Sequence, residues 1–250
     1  MNEEIPETKV LSEEEEISRI LENLPAETEV DVSVPSRGIP YFGKEGLLRV
    51  RPMTFEDEKS LSTGTRSPMF NPANHLISRC VSNVDIDKLL MIDKLFLLLK
   101  IRELSYGNEY KVGAVCTQCS YQNTLSLEID KLNSIQVPKD FQFNNREVYL
   151  KGIKKKATVS YVTVADEEFL DPDKVSENLW RFVTSIDGID TQTTISKVIS
   201  KLPVVDIHIL MSNLSLSEYG IQPQIRYACD SCSNSNLINL PIDENFFSVN

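Results

Sequence analysis

The chain has 250 residues, 41% of them hydrophobic, enough to bury one large core or two small ones. Its formal net charge is -11 at pH 7, and no stretch approaches the ~18 consecutive apolar residues of a membrane span. Four of the five cysteines sit in Cys-x-x-Cys pairs, and the chain opens on "MNEEIPETKVLSEEEE", the opposite of a basic and then apolar leader. That combination reads as a non-secreted protein with metal or redox chemistry, not as a disulfide framework.

The acidity is concentrated at the start. Residues 1–31 hold eleven acidic residues against Lys9 and Arg19, whereas the other 219 carry 26 acids and 24 bases. Such a nearly neutral body is not built as a general electrostatic nucleic-acid binder. Within this acidic arm, residues 1–29, "LSEEEEISRILENLP" fits a short amphipathic helix. Ser12 and Glu15 form a capping box and Pro25 stops it, with Leu11, Ile17, Ile20, Leu21 and Leu24 on one face. A helix of about thirteen residues is marginal alone, so it should fold against its own body or a groove on a partner. The density of charge favours the partner.

After the arm, alternating "VDVSV" and "LLRVRPM" predict a hairpin joined by the long loop Pro35 to Gly46. Thr54-x-x-Asp57 reads as a capping box opening a helix, followed by a long connection, Ser62 to Asn74. Loops of this length are common sites of partner contact, and a tolerated insertion explains them equally well. Cys80, in an apolar segment, reads as a buried core thiol. "MIDKLFLLLKIRELSYG" predicts a helix with Asp93 as N-cap and Gly107 as left-handed C-cap. Strand, knuckle and strand then follow in "VCTQCSYQNTLSL".

The same order returns downstream. "REVYL" and "ATVSYVTV" form a hairpin around the tight, basic "KGIKKK", and Thr163-x-x-Asp166 repeats the capping box. "VVDIHILMSNLSLSEYG" repeats the helix, with Asp206 as N-cap and Gly220 as C-cap, before the second knuckle, "ACDSCSNSNLINL". A shift of 113 carries Cys116 onto Cys229, Tyr106-Gly107 onto Tyr219-Gly220 and Asp93 onto Asp206. Shifts of 102 and 109 carry "CVSNVD" onto "FVTSID" and "MTFEDEKSL" onto "VTVADEEFL". Five ordered matches read as an internal duplication: repeat unit 1 over 30–143 and unit 2 over 144–250, each α+β.

Four thiolates in two Cys-x-x-Cys turns fit tetrahedral zinc. Cys119 and Cys229 lie too far apart in sequence for a compact ribbon, but a duplication removes that objection. Packed about a pseudo-two-fold axis, the knuckles would share one structural zinc among Cys116, Cys119, Cys229 and Cys232. A closed four-cysteine site has no open coordination position, so it would clamp and not catalyse.

Catalysis finds little support elsewhere. His75 and His208 have no counterparts in the other unit, and His208, in an apolar helix, reads as packed. No nucleophile elbow, phosphate-binding glycine loop or metal-hydrolase motif appears. Asp57/Glu58 and Asp166/Glu167 are explained by capping and the helix dipole.

Three phrases together, "VPSRGIPYFGKEGLLRVRPMTFEDEKSLSTG", "LKIRELSYGNEYKVGAVCTQC" and "IRYACDSCSNSNLINLPIDENFF", resemble the baseplate hub proteins of T4-like contractile-tailed phages. That family includes a hub subunit and a hub assembly factor. The resemblance implies a non-enzymatic structural or assembly role among other tail proteins, in the virion baseplate or in the host cytoplasm during tail assembly. It implies no small-molecule substrate. Two other classes stay open at this point. One is a zinc-ribbon nucleic-acid module, whose only basic cluster would be Lys151, Lys154, Lys155 and Lys156. The other is a thiol-disulfide oxidoreductase, although both knuckles run into β-like alternation instead of opening a helix.

Overall fold

A computed structural model describes residues 12–21, 29–64, 71–170, 175–242 and 244–247. In chain order come α1 (Glu13–Leu21), β1 (Val30–Val32), α2 (Ile39–Phe42), β2 (Leu48–Val50), α3 (Phe55–Gly64), α4 (Pro72–Cys80) and α5 (Met91–Tyr106). β3 (Glu109–Val115), β4 (Gln122–Glu128) and β5 (Ser134–Ile135) follow, then β6 (Arg146–Leu150) and β7 (Lys155–Val159). The remainder is α6 (Val175–Asn178), β8 (Val183–Ile186), α7 (Gln192–Ile199), α8 (Val204–Ser212), β9 (Gly220–Ile221), β10 (Gln224–Ala228) and β11 (Ser235–Asn239). The expected mixture of helix and antiparallel strand is present, with the described strands divided among small sheets.

Alternation dictates the hairpins. In β1–β2, Val32, Leu48 and Val50 are buried while the paired Asp31 and Arg49 face out. Val81 bridges to Val50 beside this pair. In the second half β6, β7 and β8 form one antiparallel sheet in which Val183 pairs with Val159.

Both expected capping boxes form. The Thr54 amide donates to the Asp57 carboxylate at 2.9 Å and the Asp57 amide to the Thr54 hydroxyl at 3.3 Å. Thr163 and Asp166 make the same exchange at the start of a 3₁₀ turn, Val164–Phe169. Asp57 does more than cap: it is fully buried and takes Arg51 at 2.7 Å and Arg79 as well. Burial alone would raise its pKa, but the hydrogen bonds from Arg51, Thr54 and Arg79 hold it well below the usual carboxylate range.

Asp93 and Asp206 are not N-caps. Leu90 and Pro203 occupy those positions, and each aspartate sits in the first helical turn, fully buried, reaching sideways to the neighbouring hairpin. Asp93 accepts the Ser36 amide at 2.9 Å and the Tyr41 hydroxyl at 2.5 Å. Asp206 accepts the Gly152 and Ile153 amides at 2.7 and 3.0 Å. A carboxylate that satisfies turn amides in a buried place is worth more there than at an exposed helix end. The Pro35–Gly46 loop is therefore anchored: Pro35 and Ser36 are buried, and Arg37 donates to the Val137 carbonyl at 2.7 Å. The other long loop, Ser62–Asn74, lies partly outside the described residues.

The two glycine predictions also divide. Gly107 does follow α5 with positive φ, but at φ 88°, ψ 176° it is extended and not left-handed helical. Gly220 is no C-cap. α8 ends at Ser212, where the Asn213 side chain donates to the Ile209 carbonyl at 2.8 Å, and Gly220 opens β9 at φ +84° against Ile92. His208 is exposed, not packed: α8 buries Asp206 and Leu210, one turn apart, and His208 falls on the opposite side.

Two apolar clusters form. The first gathers Val32, Val34, Leu48, Val50, Leu97, Leu99 and Ile101 with Leu240 and Phe246 from the far end of the chain. Arg102 donates to the Phe246 carbonyl at 2.8 Å and Tyr106 to the Phe247 carbonyl at 2.9 Å. The second holds Leu150, Val159, Leu179, Phe182, Ile195 and Leu210, and Met91 touches both. Cys80 lies in the first, as expected, and burial pushes its thiol up to about 12. The halves are tied by the β5–β9 pair and by Lys94, largely buried, which grips Glu167 at 2.5 Å. α1 has its Ser12–Glu15 box, but residues 12–20 are all exposed. Leu11, Leu24 and Pro25 lie outside the described residues.

Burial raises Asp93 to about 6 against the opposing hydrogen bonds from Ser36 and Tyr41. The unfolded carboxyl releases its proton near about 3.9, so between about pH 4 and 6 the folded state holds more protons. Stability contributed here should be full below that window and fall as pH rises through it. Asp93→Asn should remove that fall, read as wild-type minus variant urea midpoints across pH 4 to 7; identical slopes would sink the assignment.

Candidate metal centre

Two β-ribbons carry the cysteines. β3 and β4 pair from Glu109↔Glu128 to Val115↔Gln122, and β10 and β11 from Gln224↔Asn239 to Ala228↔Ser235. Each ribbon turns through its Cys-x-x-Cys in the same way. The Cys116 amide donates to the Tyr121 carbonyl and the Cys229 amide to the Asn234 carbonyl, both at 2.9 Å. Ser120 and Ser233, which close the turns, take φ of 60° and 58°. Each pays a steric cost of about 1–2 kcal/mol for a side chain in the left-handed region.

The turns bring the four sulfurs together, all within 4.8 Å of one another. Cys116 faces Cys232 at 3.7 Å and Cys119 faces Cys229 at 3.7 Å. A disulfide needs about 2.05 Å, whereas a tetrahedron with ~2.3 Å metal–sulfur bonds has sulfur–sulfur edges of about 3.8 Å. All five cysteines are free thiols. The donor set and its spacing therefore fit a tetrahedral thiophilic ion such as zinc. Cys116 and Cys229 are buried; Cys119 and Cys232 are exposed, on the solvent side of the cluster. Backbone amides of Cys119 and Gln118, with the Asn236 side chain, pull the Cys116 thiol down to about 6 against the effect of burial.

Two buried asparagines clasp the ribbons crosswise. The Asn123 side-chain carbonyl accepts the Asp230 amide at 2.9 Å, and that of Asn236 accepts the Thr117 amide at 3.0 Å. Each thus holds the residue that follows the first cysteine of the opposite knuckle. Neither residue stands out as a ligand in the sequence, yet both occur seven places after the first cysteine of their own knuckle, in "CTQCSYQN" and "CDSCSNSN".

Comparison with protein families matches the model described as T4 bacteriophage base plate protein over residues 26–192, about two thirds of the chain. The chain belongs to the T4 base plate protein family. No curated protein and no solved structure matches it. Membership makes it a structural protein of the phage tail, consistent with a place at the baseplate among other tail proteins. The matched region contains Cys116 and Cys119 and ends before Cys229 and Cys232.

The other residues singled out by sequence fall elsewhere in this base plate protein. The centre is made of cysteines only, without His75 or His208. Asp57 is engaged by its arginines and Glu167 by Lys94, Asn71 and Asn74. In the basic hairpin, Lys155 pairs with Asp187 at 2.6 Å and Lys156 with Glu147 at 2.7 Å. No helix among the described residues is long and apolar enough to cross a membrane.

Removing either clasp takes away several hydrogen bonds of a buried side chain, among them the one to the opposite knuckle. Asn123→Ala and Asn236→Ala should each lower unfolding free energy by about 1–3 kcal/mol, measured by urea denaturation. Unshifted midpoints in both would mean that the opposing amides are satisfied without the clasp.

Proposed function

We propose that this base plate protein is a non-enzymatic component of the tail hub, as subunit or assembly factor, whose two halves are clamped by one structural zinc. The observation that carries the reading is the convergence of four sulfurs, two from each of two distant ribbons, at spacings that suit tetrahedral thiolate ligation. Cys116, Cys119, Cys229 and Cys232 would hold the ion. Bound zinc supplies a four-way tie among thiolates and leaves no position for a substrate. The asparagine clasp pre-positions the knuckles, so little ordering remains to be done when the ion binds.

The same reading treats the halves as a duplication with a pseudo-two-fold relation, 30–143 and 144–250. Its support is a set of contacts recurring at the shifts found in the sequence. Val50 bridges Val81 as Val159 pairs with Val183. Asp93 holds one hairpin loop as Asp206 holds the other, and Asn123 and Asn236 exchange roles across the knuckles. In this reading the exposed α1 and the outer part of the Pro35–Gly46 loop dock other tail proteins.

Native mass spectrometry of the purified chain should find one zinc per chain. Cys229→Ser should lose the ion and lower the melting temperature, because three thiolates cannot close the tetrahedron. A stable, folded wild-type chain without zinc would return the cysteines to redox chemistry or packing. Deleting residues 1–28 should leave the body folded, with an unchanged melting temperature, while weakening co-assembly with neighbouring tail proteins. A truncated chain that unfolds would make the arm part of the core.

A further inference from the structure

One surface of the second half combines exposed apolar side chains with exposed lysines. α8 opens on Val204 and Val205, which remain 71% and 49% exposed. The β6–β7 turn lies against the start of this helix. Its Gly152 and Ile153 amides bond Asp206, and a methyl group at Gly152 would strike the Pro203 ring. This turn carries Lys151 and Lys154, and the approach to α8 carries Lys201, all exposed. Lys155 and Lys156 of the same turn are tied to carboxylates. Among the described residues, the other three lysines have no ion pair. The result is an apolar step rimmed by three positive charges.

α1 has the complementary character. Ile17 and Ile20 are 48% and 77% exposed, Glu13 to Glu16 fill the first turn, and Arg19 is the only opposing charge in the helix. Its described residues 12–20 are exposed throughout, which leaves Ile17 and Ile20 open to a partner. We propose that the step formed by Pro203, Val204 and Val205, with Lys151, Lys154 and Lys201, receives α1 of a second copy of this chain.

This rests on the reading of the arm as a docking segment and names its partner. The valines and isoleucines supply the buried apolar area, and the charges set orientation and make the contact sensitive to salt. A contact of one short helix is small, so a single one is weak. Reciprocal exchange of arms between two copies uses it twice and closes a dimer.

The test is sedimentation velocity of the full chain over a concentration series reaching about 100 μM, at low and high salt. Mass should rise toward a dimer with concentration, and salt should oppose it. Val204→Ser/Val205→Ser and, separately, Lys151→Glu/Lys201→Glu should weaken association by about tenfold or more. All four positions are exposed, and an unchanged circular dichroism spectrum verifies the fold. Mixing the Lys151→Glu/Lys201→Glu chain with a Glu14→Lys/Glu16→Lys chain should restore association between the two. A monomer throughout the series, or association indifferent to both patch variants, overturns the proposal. If deleting residues 1–28 still weakens co-assembly with tail proteins, that result sinks only the receptor on α8. If deletion changes neither, the arm reading falls with it.

Discussion

The meeting of the two ribbons is the contact on which the rest of the molecule depends. Between Cys119 and Cys229 the chain builds every buried residue of the second apolar cluster, so whatever joins the knuckles closes a loop of over a hundred residues. Cross-linking a loop that long removes much of the unfolded chain's freedom, by about 4–5 kcal/mol in the simple entropic treatment of a covalent bridge. The clasp and the thiols act on the same junction by different means. Asn123 and Asn236 set the angle and separation of the ribbons with neutral hydrogen bonds that do not depend on metal. An ion held by the four thiols would add strength to the junction that the asparagines position.

A second set of contacts resists sliding between the halves. Lys94 and Glu167 form a partly buried ion pair, and both Asn71 and Asn74 donate to the same carboxylate. Such a pair adds little net stability over apolar packing, but breaking it by removing one partner is expensive. It therefore acts on register more than on strength. The β5–β9 pair, two residues long, works likewise by fixing a direction.

What could be read from the sequence was what is local. The capping boxes at Thr54 and Thr163 were legible because both partners lie three residues apart. The knuckles were legible because two cysteines must share one turn. Asp93 and Asp206 resemble caps in the sequence because a first-turn aspartate looks like one when its partners, Ser36 and Gly152, are more than fifty residues away. Gly220 revealed its positive φ but not its role, since a strand start and a helix end both use it. The exposure of His208 is hidden in the sequence because α8 is apolar on nearly every side, which masks the face it buries. The asparagine clasp carried no ligand chemistry to draw attention, although its repetition was in plain view.

Phe246 has a consequence for the order in which the protein is made. Its ring is fully buried in the first cluster, edge-on to Tyr110 at 5.1 Å, and its carbonyl receives Arg102. Tyr110 in turn donates to the Pro241 carbonyl. Multidomain chains commonly fold from the N-terminal side while still on the ribosome. Here the N-terminal half is left with an open seat until residue 246 has emerged. The nascent first half must wait, partly assembled, for a wedge supplied more than a hundred residues later.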